Sequence, residues 1–286
     1  MNKIQLPDHD DYKALFELAR NSQIKSYPKL LAEEAEIIAS YTNYLRNNGN
    51  ASIIQPKNIE DDIAAFLRHH YESPPKELSF IRKLRKSSAH KVCAMCGSFG
   101  SETLDHVLPR ASYPEFSIFA ANLVPACPCN SLRSEDITGT SAEERILHPY
   151  FDDCLADRLL AARIDPPFGE APSIALEICI PPTEPLYPAV KFHVSATVQK
   201  TAILGHLDSM WASLWRRPPD IIPTLEDGTP VTALNIERAI QRELSRLDSV
   251  HDSRNNWDSI FMAGLENEQL IDWLVNHINN GPPTLL

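Results

Sequence analysis

Cys93-Ala94-Met95-Cys96, then Leu104-Asp105-His106-Val107-Leu108-Pro109-Arg110, then Asn122-Leu123-Val124-Pro125-Ala126-Cys127-Pro128-Cys129-Asn130, then Arg133: this stretch decides the fold. Cys-x2-Cys is a knuckle that presents two thiolates to one tetrahedral ion. A second close pair, Cys127 and Cys129, can complete a four-cysteine zinc site that pins two loops together. The alternative is four small buried hydrophobes. Asp105-His106 places a hard-metal ligand beside a general base. Thr103-Leu104 and Val107-Leu108 predict a strand around the pair, on which neighbouring side chains point to opposite faces. For both to meet one phosphate, the strand must end or bend there, and Pro109 follows. The bland alternative is an exposed Asp-His at a strand end. Asn130 can cap a short helix, and its amide oxygen also suits Mg²⁺. Arg133, one turn on, can fork onto a phosphate, with Arg110 a second candidate. The alternative is a plain N-cap and a solvated arginine.

The 286 residues carry a net charge of −11, with 43% hydrophobic and 23% charged residues. This excludes a wholly disordered chain. No apolar run reaches the ~18 residues of a membrane span. Lys3, Asp8, Asp10, Asp11 and Lys13 exclude a signal-peptide apolar region, so the cytoplasm is expected. An acidic chain repels phosphate. Yet residues 76–133 hold eight Lys/Arg against four Asp/Glu, or +4, leaving −15 for the rest. That basic island implies a local anion site. Its densest run, Arg82-Lys83-Leu84-Arg85-Lys86, is the expected DNA-backbone contact, or else a solvated helix face.

Residues 10–71 read as helical. Leu30, Leu31, Ala35, Ile38, Tyr41 and Leu45 recur at helical spacing, and Asn48-Gly49-Asn50 stops that helix. Asn58 is expected to cap the next one. A short basic helix is predicted over 77–87, with Leu78, Ile81 and Leu84 inward. Beyond the motifs, Ser173–Ile180 and Val190–Val198 alternate as strands and predict a hairpin. Helices are predicted near 202–216, 231–250 and 257–279. Trp211 and Trp215 read as packing residues, His69-His70 as helix surface, and Cys179 as a strand-core cysteine. The division is 1–88 helical, 89–152 motif-bearing and 153–286 α+β and partner-binding, packed as one body because no Gly/Ser linker intervenes.

The ordered motifs resemble the HNH endonuclease family, of the His-Me-finger (ββα-metal) type. The longer text Leu104–Phe116, Asn122–Pro125 and His148-Pro149-Tyr150-Phe151-Asp152 is similar to HNH nuclease subunits of bacterial anti-phage systems of the Septu type. The resemblance covers about 60 of the residues. It implies an α+β, mostly helical chain with a central zinc-stapled ββα finger and a small C-terminal hairpin. It implies structural Zn²⁺ on Cys93, Cys96, Cys127 and Cys129, and catalytic Mg²⁺ or Mn²⁺ on Asp105 and Asn130. His106 would be the base, and Asn122 would brace the loop carrying it. DNA would be the substrate, and an ATPase subunit of a defence complex the partner. His148 would either approach the metal or close the finger helix. The family's second knuckle is Cys-x2-Cys-Asn; here it is one residue short. Either both thiolates reach the ion with a tighter bite, or Cys127 drops out in favour of His90 or Cys154. A zinc-stapled binding or assembly module without catalysis is the second reading.

Overall fold

The computed structural model describes residues 1–86, 92–101, 103–133, 135–225 and 230–280. His90, Lys91 and the expected boundary at 88/89 lie outside them. The fold is α+β, about half helical, with two small antiparallel sheets among the described residues.

Four helices come first: α1 (Asp11–Ala19), α2 (Lys29–Arg46), α3 (Asp61–Glu72) and α4 (Ser79–Lys86). Helix α2 buries Leu30, Ile37, Tyr41 and Tyr44 on one face and stops where predicted. Asn48 and Gly49 turn the chain there with positive φ. Asn58 is not the cap of α3. That helix begins at Asp61, with Asp61 and Asp62 in its first turn, where carboxylates complement the helix dipole. Ile59 is buried ahead of the helix instead. His70 is also a correction: it is buried and hydrogen-bonded to Ser26 (2.9 Å), while His69 is exposed.

Strand β1 (Thr103–His106) pairs antiparallel with β2 (Leu123–Ala126), and α5 (Cys129–Arg133) follows directly. Two four-residue strands cannot stand alone in water. Their support comes from α2, whose Tyr41 stacks on Phe119 at 4.0 Å and whose Tyr44 meets Phe116 edge-on at 4.9 Å. Each such aromatic pair adds about 0.5–1.5 kcal/mol beyond its burial. The N-terminal helices and the ββα unit therefore share one hydrophobic core.

A second core holds the remainder. Strand β3 (Leu160–Asp165) pairs with β4 (Ser173–Ile178), in register Leu160↔Ile178 to Asp165↔Ser173. The hairpin exists, but its partner strand was misassigned. The run Val190–Val198 is helical: α6 (Tyr187–His193) continues into a π-helical turn over Val194–Val198. Val190, Val194 and Val198 are four apart and all buried, so one set of residues satisfies both periodicities. Pro188 suits the first turn of a helix. Helices α7 (Ile203–Arg216) and α8 (Ala233–His251) fall where expected. The 257–279 stretch divides into α9 (Trp257–Gly264) and α10 (Glu268–Asn280). Gly264 lets α9 lie directly on β3, because a Cβ there would sit 2.2 Å from the Ala162 carbonyl oxygen. Trp211 is buried and stacks on Trp273, as does Trp215. Cys179 lies just past β4 and is exposed, not in a strand core. No described helix is long and apolar enough to cross a membrane.

Candidate active site and metal centre

The four cysteines converge. The Sγ atoms of Cys93, Cys96, Cys127 and Cys129 all lie within 4.8 Å of one another. Cys93–Cys129 are 3.6 Å apart and Cys96–Cys127 3.4 Å. A tetrahedral zinc with ~2.3 Å bonds sets its sulfurs about 3.8 Å apart, so the cluster fits that ion. The shortened knuckle does not exclude Cys127, and Cys154 is not part of the cluster. Backbone amides turn toward the sulfurs: the Cys127 N–H donates to Cys93 Sγ and the Cys129 N–H to Cys127 Sγ, both at 3.3 Å. Such bonds stabilise thiolates.

The knuckle is clamped from outside. Its carbonyls at Ala94, Met95, Cys96 and Gly97 accept from the Asn2 N–H, the His193 ring, the Trp257 indole and the Trp257 N–H. The Leu147 N–H donates to His193 Nδ1 (3.0 Å), so Nε2 carries the proton given to Met95 (2.7 Å). His193 thus ties the second core to the knuckle. The alternating pattern of 190–198 had placed it on the polar face of a strand.

Asp105 and His106 end β1. A cavity of about 290 Å³ is lined by both, together with Pro109, Arg110, Asn130, Ser131, Arg133 and Glu135. The strand end therefore brings the expected metal ligand, base and amide into one recess. His106 Nε2–H donates to the Ser117 carbonyl at 2.9 Å. That bond fixes the tautomer and leaves Nδ1 unprotonated, able to accept a proton. Burial pushes the imidazole down to about 3, and Arg110, Arg85 and Arg133 add to the shift. The ring is therefore neutral at neutral pH.

Arg133 does not project toward a solvent phosphate. It is 1% exposed, and its Nη2 donates to both Asp105 oxygens and to the His106 carbonyl, each at 3.0 Å. Burial raises the Asp105 pKa, opposed by this guanidinium. Asn130 begins the first turn of α5, and its Oδ1 accepts from the Ser131 N–H at 2.8 Å. Asp105 and Asn130 are the expected ligands among the oxygen donors that line the recess, which also include Ser131 and Glu135. They suit a hard cation that keeps several waters. Arg133 shares the carboxylate, which has about four lone-pair directions to offer.

Asn122 is fully buried and closes the loop between His106 and its partner Ser117. Its Oδ1 accepts from the Leu108 N–H (2.8 Å), and its Nδ2 donates to the carbonyls of Leu108 (3.0 Å) and Phe116 (3.2 Å). The Tyr44 hydroxyl donates to the same Oδ1 at 3.0 Å. Behind Tyr44 stands His148, whose Nε2 lies 2.8 Å from that hydroxyl. The Tyr150 N–H donates to His148 Nδ1, so Nε2 is the protonated nitrogen. His148 is buried in this relay and does not line the recess. The Asp152 carboxylate, gripped by Arg145, accepts the His148 backbone N–H. Gly49 leaves room for the relay, since a Cβ there would meet the His148 ring at 2.4 Å.

The basic run divides. Arg82 bonds the Pro74 carbonyl and Arg85 the Tyr71 carbonyl (2.7 Å), tying α4 to the end of α3. Lys83 and Lys86 are exposed on α4. Arg110 lines the recess and pairs with Glu72 at 2.9 Å. Sequence reasoning missed Tyr44 and Tyr71. The signal available was only their place on apolar helix faces.

No family model and no solved structure matches this chain. Over 143 residues it is 29% identical to Protein ea31 of Escherichia phage lambda. The match covers 46% of this chain and 48% of that protein, so the chain spans about half the length of the curated relative it matches.

Proposed function

We propose that the chain is a metal-dependent HNH-type endonuclease hydrolysing DNA phosphodiester bonds. One observation carries this reading: Asp105, His106 and Asn130 line a single recess at the end of a ββα unit stapled by four cysteines. His106, neutral and held by Ser117, accepts a proton from the attacking water at Nδ1. Asp105 and Asn130 would hold a catalytic Mg²⁺ or Mn²⁺, which would supply Lewis-acid polarisation of the scissile phosphate and charge stabilisation for the leaving oxygen. Arg110, Lys83 and Lys86 supply the positive rim along which the backbone lies. The products are a 5′-phosphate and a 3′-hydroxyl, as in the family resembled.

The remainder of the chain carries −15, too acidic for tight unaided DNA binding. We therefore assign the flanking helices to docking a partner that holds DNA. The Septu-type resemblance makes that partner an ATPase and the setting anti-phage defence.

The experiment is cleavage of supercoiled plasmid with Mg²⁺ and with Mn²⁺, comparing the wild type with His106→Ala at equal zinc content. Cleavage by the wild type alone supports the base and the reaction together. Cleavage retained in His106→Ala removes His106 from the role. The second reading, a zinc-stapled binding module, draws on the Arg133 guanidinium seated on Asp105. It predicts zinc and DNA binding with no cleavage, even with the partner protein added.

A further inference from the structure

Tyr71 touches the candidate base and the two cations beside it, from a helix outside every motif. Its ring lies 4.3 Å from the His106 imidazole, centroid to centroid, and meets it edge-on at 66°. The Arg85 guanidinium carbon sits 4.4 Å from the centre of the same ring and that of Arg110 5.2 Å. The Tyr71 hydroxyl donates to the Leu104 carbonyl at 3.1 Å, on the strand that delivers Asp105 and His106. Residues 71, 85, 106 and 110 thus meet on one ring. Both guanidinium groups lie within cation–π reach of that ring, which attracts each of them, and a bound phosphate would attract both as well. Arg85 is further fixed by its bond to the Tyr71 carbonyl. Among the described residues Arg110 has the exposed Glu72 as its ion partner, so the exchange of that carboxylate for a phosphate is cheap.

We propose that Tyr71 is a positioning residue for a phosphodiester substrate: its ring seats His106 against Ser117 and holds Arg85 and Arg110 as the pair that grips the phosphate. The proposal rests on the nuclease reading above. It assigns the ring, not the hydroxyl, as the working part.

The test compares Tyr71→Phe, which keeps the ring and loses the bond to Leu104, with Tyr71→Leu, which loses both. Zinc content and thermal midpoint are measured on each. With a supercoiled plasmid, Tyr71→Phe stays within about twofold of wild type. Tyr71→Leu raises KM on the order of tenfold, as lost cation–π contacts to two arginines require. A second readout does not depend on cleavage. Two-bond ¹H–¹⁵N spectra show a single Nε2–H tautomer of His106 in the wild type and in Tyr71→Phe, and exchange between tautomers in Tyr71→Leu. Equal loss in the Phe and Leu variants would assign the effect to the Leu104 bond and overturn the proposal, as would a Leu variant that matches wild type. A wild type that does not cleave even with the partner protein added would sink the nuclease reading while the spectra still decide what the ring does for His106. Should Tyr71→Leu fail to fold, Arg85→Lys with Arg110→Lys keeps the charge and removes the stacking. The same rise in KM is expected, and an unchanged KM overturns the proposal.

Discussion

Arg133 places one guanidinium nitrogen 3.0 Å from each carboxylate oxygen of Asp105, with both side chains almost wholly buried. The ion pair spans α5 and β1 and so locks the ββα unit shut across its recess. Removing one partner of a buried pair leaves the other charge without compensation, which costs about 3–5 kcal/mol. Arg133→Gln is therefore expected to lower the free energy of unfolding, measured by urea denaturation, by an amount in that range. If Asp105 is a metal ligand, Mg²⁺ or Mn²⁺ takes the place of the lost cation, and millimolar metal restores part of the stability of Arg133→Gln. A midpoint that ignores the metal would remove Asp105 from the ligand set.

The relay behind Asn122 has a measurable strength. Burial raises the Tyr44 pKa well above its ordinary value, so the hydroxyl keeps its proton and donates to Asn122. Tyr44→Phe takes the hydroxyl partner from His148 Nε2–H and leaves Asn122 Oδ1 with the Leu108 N–H. A buried group that loses its partner costs about 1–3 kcal/mol. In a double-mutant cycle with His148→Ala, a coupling of about 0.5–3 kcal/mol is expected, against near zero for distant residues with no shared partner. Chemical denaturation of the four proteins measures it.

Buried histidines set the acid limit of the fold. Burial depresses His148 to about 3, and His193 and His70 to about 4. All three are neutral in the folded chain, while in the unfolded chain they take up protons below their ordinary value of ~6.5. Their contribution is complete above pH 6.5 and is lost progressively as the pH falls toward 3–4. Asp11 works in the opposite sense. Burial raises it to about 7, so it favours the folded state as the pH falls from 7 toward 4. With His106, also depressed to about 3, four histidines outnumber the carboxylates that burial raises, Asp11, Asp105 and Glu115, and stability is expected to decline below pH 6.5. His193→Gln keeps an N–H for the Met95 carbonyl but cannot titrate. Its stability at neutral pH falls, and near pH 5 its slope against pH is shallower than wild type by about 1.4 kcal/mol per unit. An unchanged slope would mean that His193 is charged in the fold.

Much of the site was legible because its chemistry is written in adjacent residues. Asp105-His106 and Cys129-Asn130 each fix their neighbour by covalent geometry, and the end of β1 does the rest. The relays were not legible. Tyr44, Tyr71 and His193 bond to site residues 33 or more positions away in sequence; the two tyrosines sit on helix faces that read only as apolar packing, and His193 falls in a run whose alternation reads as the polar face of a strand. Arg133 was legible as a charge but not as a direction, since a five-residue helix offers no amphipathic pattern to show which way it faces. The Val190–Val198 error has a different cause. Buried valines at every fourth position also fall on every second one, and no turn signal between them separates the two periods.

The short knuckle Cys127-Pro128-Cys129 yields the last prediction. Cys127 ends the loop after β2 and Cys129 opens α5, so the two thiolates hold different parts of the unit. Both are within reach of one ion. Cys127→Ser and Cys129→Ser should each lose the single zinc equivalent expected of the wild type, whereas Cys154→Ser and Cys179→Ser should keep it. The two losses differ in consequence. Cys129 adjoins Asn130 and lies four residues before Arg133, so its removal frees the first turn of α5 and with it the Asp105 pair. Cys127→Ser leaves α5 attached through Arg133. The stability loss should therefore be larger for Cys129→Ser, by up to the ~3–5 kcal/mol of the broken buried pair. Zinc content by elemental analysis and denaturant midpoints of the four variants decide it. Retention of a full zinc equivalent in Cys127→Ser would show that three cysteines suffice and that Cys127 is a neighbour of the site, not a ligand.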